Sequence, residues 1–517
     1  MKNLCAAVFA ALLYIGVPWA ALAQDVTLTS RDGSVQVSGH LLGFDGTFYR
    51  ISSIYGELTL DGTGVVCAGP GCPDLASYVA EFAISGSRTI GESLMPALIE
   101  AFAAQMGYDI RRRVRSDTSF EYTLASEGKD LARIGFRVTS SDEGFADLLA
   151  NEADISLSMR EIRKPEADLG RDAGLGNLDA LGRSRVLALD GIVPIISPLN
   201  PVQSISLENV MRLFAGQISN WSELGGVDAP VVLHVREAKS GLQQAFEDMV
   251  LGAGNLSLAP QVVRHASNAA LSDAVAADPF AVGITSFSEF GNARIVSMPG
   301  TCGFEVKPTV LSLKTEDYPL TAPMLLYTPA RRLPQAAREF LTFLRSPAAQ
   351  IVIRRMGFVD QAPAQIPIDA QGARLANAIS ASGAEVSVDD LKAMVTRLQG
   401  LSRLTTTFRF RVGSSDLDAQ SRSNVEQLAR LIEAGFYDGK EIAFVGFSDG
   451  DGAAATNRRL ARARARVVRD AVLLSAPTAD RGRFTVKLDA FGEALPMACD
   501  DTTWGRQVNR RVEVWVN

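Results

Sequence analysis

Apolar and polar residues alternate in short runs between residues 26 and 66: Val26-Thr27-Leu28-Thr29, Val35-Gln36-Val37-Ser38, Tyr49-Arg50-Ile51 and Leu58-Thr59-Leu60. Successive side chains of a strand face opposite ways, so each run predicts a half-buried strand. Asp-Gly pairs beginning at Asp32, Asp45 and Asp61 separate the runs. Both residue types tolerate the positive φ of tight hairpin turns, which predicts a small antiparallel β module over residues 24–78. From residue 81 to 362 strand-like runs alternate with stretches of helical period at 94–106, 144–149, 243–251 and 334–356. That alternation predicts an α/β domain, 79–362, built on a mainly parallel sheet. Pro, Gly and Ala are frequent over 362–384 and a short helix is expected near 388–398, so residues 363–400 read as a linker. The remainder, 401–517, predicts strand, helix, strand, helix, strand. On its second helix Leu460, Ala463 and Val467 recur at helical spacing and are expected as the buried stripe, with Arg458, Arg459, Arg462, Arg466 and Arg469 as a solvated face.

Composition adds a compartment. Met1-Lys2-Asn3-Leu4, an apolar run ending at Pro18, and Ala21-Leu22-Ala23 follow the order of an export signal cleaved after Ala23. The run is shorter than the roughly 20 residues of a spanning helix. At 517 residues the chain is too long for one core and divides into about three domains. The net charge of −7 becomes −8 without Lys2, and no long basic block interrupts the mature chain, which argues against nucleic acid as a partner. Export permits disulfides among Cys67, Cys72, Cys302 and Cys499. The turn-rich segment from Cys67 to Cys72 is expected to close on itself. Cys302 and Cys499 either bridge the central and C-terminal domains or remain thiols.

Enzymatic chemistry lacks its parts. Gly446-Phe447-Ser448-Asp449-Gly450 has the spacing of a hydrolase nucleophile elbow, but that motif needs a helix to start at the serine, and residues 450–455 read as a loop. His40, His234 and His265 lie in other domains, and no His-Glu-x-x-His occurs. No catalytic residues, metal or cofactor are expected.

Three segments place Ser, Thr and Gly at expected helix starts: Ser85-Gly86-Ser87-Arg88-Thr89, Ser140-Ser141, and Ser240-Gly241. Free backbone N–H groups and the helix dipole favour an anion at each. Ile84 to Ile90, Ala153-Asp154-Ile155-Ser156-Leu157-Ser158-Met159-Arg160, Leu213-Phe214-Ala215-Gly216 to Trp221, and Arg236 with Ser240-Gly241 stand in an order that resembles the phosphate-binding proteins of PstS type. The resemblance implies a two-lobed type II periplasmic receptor for phosphate or a similar oxyanion, served by an ABC permease. Ser85, Ser87, Thr89, Ser140 or Ser141 would supply donors, and Arg236 a bidentate guanidinium. Asp154 would accept the proton of hydrogen phosphate and so reject sulfate. Leu242 departs from the family's Thr, and the stretch 111–131, with Arg112, Arg113 and Arg115, has no counterpart; it is a solvated face or a second anion contact.

The spacing Asp449, Asn457, Arg464 and the terminal Asn509-Arg510-Arg511-Val512-Glu513-Val514 resemble the OmpA-like peptidoglycan-binding domain, an α+β fold. The resemblance implies that Asp449 takes the ammonium and Arg464 the carboxylate of a diaminopimelate stem peptide. Asn457 would fix the loop carrying Asp449, with Arg510 and Arg511 in support. Ser448 stands where the family more often has Thr. The expectation is a non-enzymatic periplasmic receptor held at the wall. The alternative is a cell-envelope structural or signalling protein whose receptor fold serves protein interaction.

Overall fold

The computed structural model describes residues 25–75, 77–383, 385–411, 414 and 416–517; the export signal expected over 1–23 lies outside the described residues. Two compact units divide after Ala80. In the first, Val26–Ser30, Gln36–Phe44, Phe48–Ser53 and Gly56–Asp61 form an antiparallel meander, and Val65–Ala68 returns beside the first strand. Val26, Leu28, Tyr49 and Ile51 form its buried face. The turn carboxylates work locally: Asp45 Oδ1 accepts from Thr47 N at 2.8 Å and Phe48 N at 2.7 Å, and Asp61 Oδ1 from Thr63 N at 2.8 Å. Cys67, opposite Leu28 in the sheet, is joined to Cys72 and closes the module's end.

The second unit opens with an eleven-stranded sheet. Strand Ser184–Ile196 pairs with Thr321–Tyr327 from Ser184 to Gly191, then with Ala281–Ser286 from Ile192 to Ile196. On one side the sheet continues through Ile155–Ser158 and Ala80–Ser87, on the other through Val232–Arg236 and Val263–His265. Two lobes joined by crossing strands result, the receptor architecture the resemblance implies. The sheet is mixed rather than mainly parallel. Parallel pairing occurs at Ile155–Ser158 with Ala80–Ser87 and around Val232–Arg236, whereas Asp109–Ser116, Ser119–Ser126 and Lys129–Thr139 form an antiparallel meander. Tight turns join only antiparallel strands, and Glu127 and Gly128, both at positive φ, form such a turn. This meander is the stretch 111–131. Arg112 stacks on Phe120, 4.3 Å from its ring centroid, and Arg115 pairs with Glu121 at 2.9 Å. The helical run at 334–356 is two helices, Gln335–Phe343 and Pro347–Arg355, because Pro347 starts a helix well and breaks an interior.

Residues 363–400, expected as a linker, instead build the C-terminal domain. Gln365–Pro367 is the edge strand of a sheet that continues through Ser402–Arg409, Arg511–Val516, Glu441–Phe447 and Thr485–Gly492. The strand Thr485–Gly492 and the helix Thr503–Asn509 add to the expected pattern. Ile442 and Phe444 face a core shared with helices Ala419–Glu433 and Ala454–Leu474, while Ala443, Val445 and Phe447 face Ala378, Leu391, Met394 and Leu398 of the former linker. Burial on both faces explains why that strand reads as a continuous apolar run. The stripe on Ala454–Leu474 is also corrected. Asn457, Ala461, Ala465, Val468 and Val472 are buried, and Leu460, Ala463 and Val467 are exposed. A Cβ on Gly446 would lie 2.1 Å from the Ala461 carbonyl, so the helix approaches too closely for Leu.

This domain is welded to the two-lobed domain. Cys302 and Cys499 are joined across 197 residues of sequence. Arg403 donates to both oxygens of Asp317 at 2.9 and 3.2 Å, Arg409 Nη2 to the Glu316 carbonyl at 2.6 Å, and Arg411 to Asp179 and Glu161 at 2.8 and 2.9 Å. Burial alone would raise the Asp317 carboxyl, but Arg403 brings it down to about 2. Among the described residues no helix is long and apolar enough to cross a membrane.

Candidate functional sites

Parallel strands deliver ligands at their carboxyl ends, and the expected anion residues gather there. Gly86, at φ 130°, lies so close to its neighbour that a Cβ would meet the Leu157 carbonyl at 2.1 Å. This contact draws the Ser85–Ser87 segment against the helix Ser141–Leu149, whose Gly144 faces Gly86 Cα. From the second lobe, Gly241 approaches until its own Cβ position would be 3.1 Å from Ser87 Oγ and 2.9 Å from Met159 Cγ. Ser87 and Ser240 are buried, and neither hydroxyl has a hydrogen-bond partner among the described residues. An unpaired buried hydroxyl costs free energy that an anion would recover. The lobes are closed here, with Gln244 donating to Asp142 at 3.2 Å and Arg163 to Asp248 at 2.8 Å.

Other members of the set are engaged elsewhere. Ser85 Oγ donates to Asp147 at 2.5 Å, Ser140 caps its helix by accepting from Glu143 N at 3.1 Å, and Ser141 Oγ accepts from Met159 N at 3.1 Å. Thr89 precedes the first helical turn without a side-chain cap. Arg236 donates through Nη2 to the Ala266 carbonyl at 2.7 Å and through Nη1 to Asn268, so its fork is turned onto its own lobe. Leu242 is buried.

Asp154 is not in this cluster. It precedes strand Ile155–Ser158, at the end opposite Met159, on the order of 16 Å away at 3.3 Å per residue. There it accepts from Ala83 N at 2.8 Å and Arg331 Nη1 at 2.9 Å. The position that reaches the helix starts is Met159. His234 and His265, which look scattered in sequence, stack with Nδ1 and Nε2 2.9 Å apart. Strand pairing of Val232–Arg236 with Val263–His265 brings them together, a juxtaposition no sequence motif signals.

In the C-terminal domain strand Glu441–Phe447 ends at Ser448 and the helix starts only at Ala454, so Ser448 opens a loop. Asn457 Nδ2 donates to the Gly452 carbonyl at 3.3 Å and holds that loop. Asp449 is buried with its Oδ2 3.6 Å from Arg510 Nε. Burial pushes its carboxyl up, Arg510 opposes that, and Asp500 adds to it. Arg464 faces the same place, its guanidinium 5.7 Å from the Phe410 centroid, with no hydrogen-bond or ion-pair partner among the described residues. Burial, then Arg510, lowers its pKa, while Asp449 raises it. Asp449 and Arg464 thus lie close enough to influence each other without a direct ion pair, while Asp449 has Arg510 at 3.6 Å. Arg511 is buried against Glu513 at 2.8 Å. Sequence reasoning missed Asp500, whose Oδ2 accepts from Gly450 N at 2.8 Å and whose Oδ1 accepts from Asn509 Nδ2 at 2.9 Å.

A PBP superfamily domain matches residues 76–348 and an OmpA family domain residues 409–510. The chain is similar to the phosphate-binding protein PstS of Bacillus subtilis, 28% identical over 189 residues, which are 36% of this chain and 60% of that protein's length. It is similar to outer membrane porin F of Pseudomonas aeruginosa, 32% identical over 114 residues, 22% of this chain and 31% of the porin. An ABC-type phosphate transport receptor structure from Vibrio cholerae aligns at 23% identity and a TM-score of 0.42, covering 54% of this chain and 99% of that one. Matched over more than half its length, the chain belongs to the PBP superfamily, with a PstS-type domain and a C-terminal OmpA family domain.

Proposed function

We propose that this protein is an exported receptor for phosphate or a similar oxyanion, held non-covalently to peptidoglycan by its C-terminal domain and passing its ligand to an ABC permease. One observation carries the receptor reading: the helix starts of both lobes converge on the unpaired buried hydroxyls of Ser87 and Ser240. Asp154 has no part in reading the ligand's proton, because it lies at the far end of its strand. Isothermal titration of the mature protein with phosphate is expected to give saturable heat that arsenate displaces. Ser240→Ala should weaken binding by about 1.5–3 kcal/mol, the worth of a hydrogen bond to a charged group. Asp154→Asn should bind like the wild type. Absence of heat in the wild type would remove the receptor reading.

A second reading, a structural or signalling protein that uses the receptor fold for protein interaction, is favoured by Met159, which fills space between the helix starts. The phosphate titration separates the two.

A further inference from the structure

A cavity of about 690 Å³, with Met159 in its wall, opens between both lobes and the C-terminal domain. That volume is in the range of small-molecule sites. Its apolar wall comes from Met159 and Ile162 of one lobe, Met249 of the other, Tyr318 between them, and Trp504 of the helix Thr503–Asn509. Two of its polar atoms are unpaired acceptors. Gln420, buried, has no partner for Oε1 among the described residues, while its amide nitrogen donates to Gln361 and Asn424. Glu316 Oε1 is shut off from solvent and equally unpaired. Glu316 also holds a φ of 56°, a conformation that costs a non-glycine residue free energy and marks functional positions more often than others.

Charge points the same way. Glu161, Asp248, Glu316 and Asp418 line the cavity; Arg411 holds Glu161 and Arg163 holds Asp248, which leaves Glu316 and Asp418. The cations on the wall are already engaged: Arg160 with Asp142 and Glu166, Arg163 with Asp142 and Asp248, and Arg409 with the carbonyls of Glu316 and Val508. We propose that this cavity binds a small organic cation, an ammonium or guanidinium on an apolar body, with the charged head donating to Glu316 and Gln420 and the body against Trp504 and Met249. An indole face beside the head adds cation–π attraction. Burial, then the neighbouring Asp418, raises the Glu316 carboxyl well above its ordinary range, and burial, then Glu161, pushes Asp418 up to about 6. Such crowded acids are what a bound cation relieves. The cavity shares Met159 with the Ser87–Ser240 cluster, but neither of that cluster's serines lines it.

The test uses the mature full chain, titrated calorimetrically with phenethylamine, with agmatine, and with phenylacetate, which keeps the aromatic body and reverses the charge. At least one of the two cations is expected to bind saturably, to shift Trp504 fluorescence, and to lose tenfold or more in affinity in Glu316→Gln. Phenylacetate should give no heat. Glu316→Gln keeps the side chain's shape, and an unchanged melting temperature certifies its fold; Trp504→Phe, lining the same cavity from the other domain, should abolish the fluorescence shift. No binding of either cation at millimolar concentration overturns the proposal, as does equal binding of phenylacetate or undiminished binding by Glu316→Gln.

Discussion

Asp317→Ala should be the most destabilising single change in the second unit, lowering unfolding free energy by about 3–5 kcal/mol, the usual result of orphaning a buried ion-pair partner. The carboxylate belongs to a buried group in which Asp317 and Glu513 face Arg374, Arg403, Arg409 and Arg511. Removing Asp317 leaves four guanidinium groups to one carboxylate, with Arg403 only 1% exposed. Urea unfolding followed by tryptophan fluorescence measures the loss. An Asp317→Leu, Arg403→Met pair should recover much of it, since well-packed apolar pairs often replace buried ions without penalty. The pH dependence has a definite sign. Both carboxyls sit below their ordinary values in the folded protein, Asp317 at about 2. Their contribution is therefore complete above the unfolded-state range near 4 and is lost as pH falls through the folded values. Wild type and Asp317→Ala should converge in stability near pH 2. A variant within about 1 kcal/mol of wild type at neutral pH would show that the network is not the domain junction's anchor.

Sedimentation with diaminopimelate-type peptidoglycan should be lost in Asp449→Ala and in Arg464→Ala and kept in Arg462→Ala. Each of the first two leaves one charge of the zwitterion unpaired in a partly desolvated site, a loss of about 2–5 kcal/mol, or well over tenfold. Arg462 lies on the same helix but is exposed. Full-length protein is the right material, because a fragment starting near 400 would lose the edge strand Gln365–Pro367 and the core residues Leu391, Met394 and Leu398. If all three variants pellet like the wild type, the exposed arginines bind the wall without discrimination and the assignment of Asp449 and Arg464 fails.

What the sequence made legible was local. Asp-Gly turns act within a few residues, so the N-terminal hairpins and the closure of Cys67 on Cys72 follow from spacing. The Asp449, Asn457, Arg464 constellation is likewise local to one strand, loop and helix. Distant choices were hidden. The stripe on Ala454–Leu474 was misread because apolar character alone favours Leu460, while the close approach to Gly446 selects Ala461 and Ala465. A composition rich in Pro, Gly and Ala suggested a linker where Ala378 packs under Trp515. Asp154 precedes its parallel strand, and a residue there cannot reach a site at that strand's carboxyl end.

The junction at Cys302 and Cys499 also sets a path for force. Along the backbone the two cysteines are 197 residues apart, yet Cys499 is followed by Asp500, whose carboxylate grips Gly450 beside Asp449. The Asp449 loop is thus tied to the two-lobed domain through the disulfide in addition to the ion pairs that Arg403, Arg409 and Arg411 make across the same junction. A flexible tether over residues 363–400 would let the receptor wander roughly 35 Å. Because the described residues of that stretch are folded, the C-terminal domain is packed against the two-lobed domain rather than trailing from it.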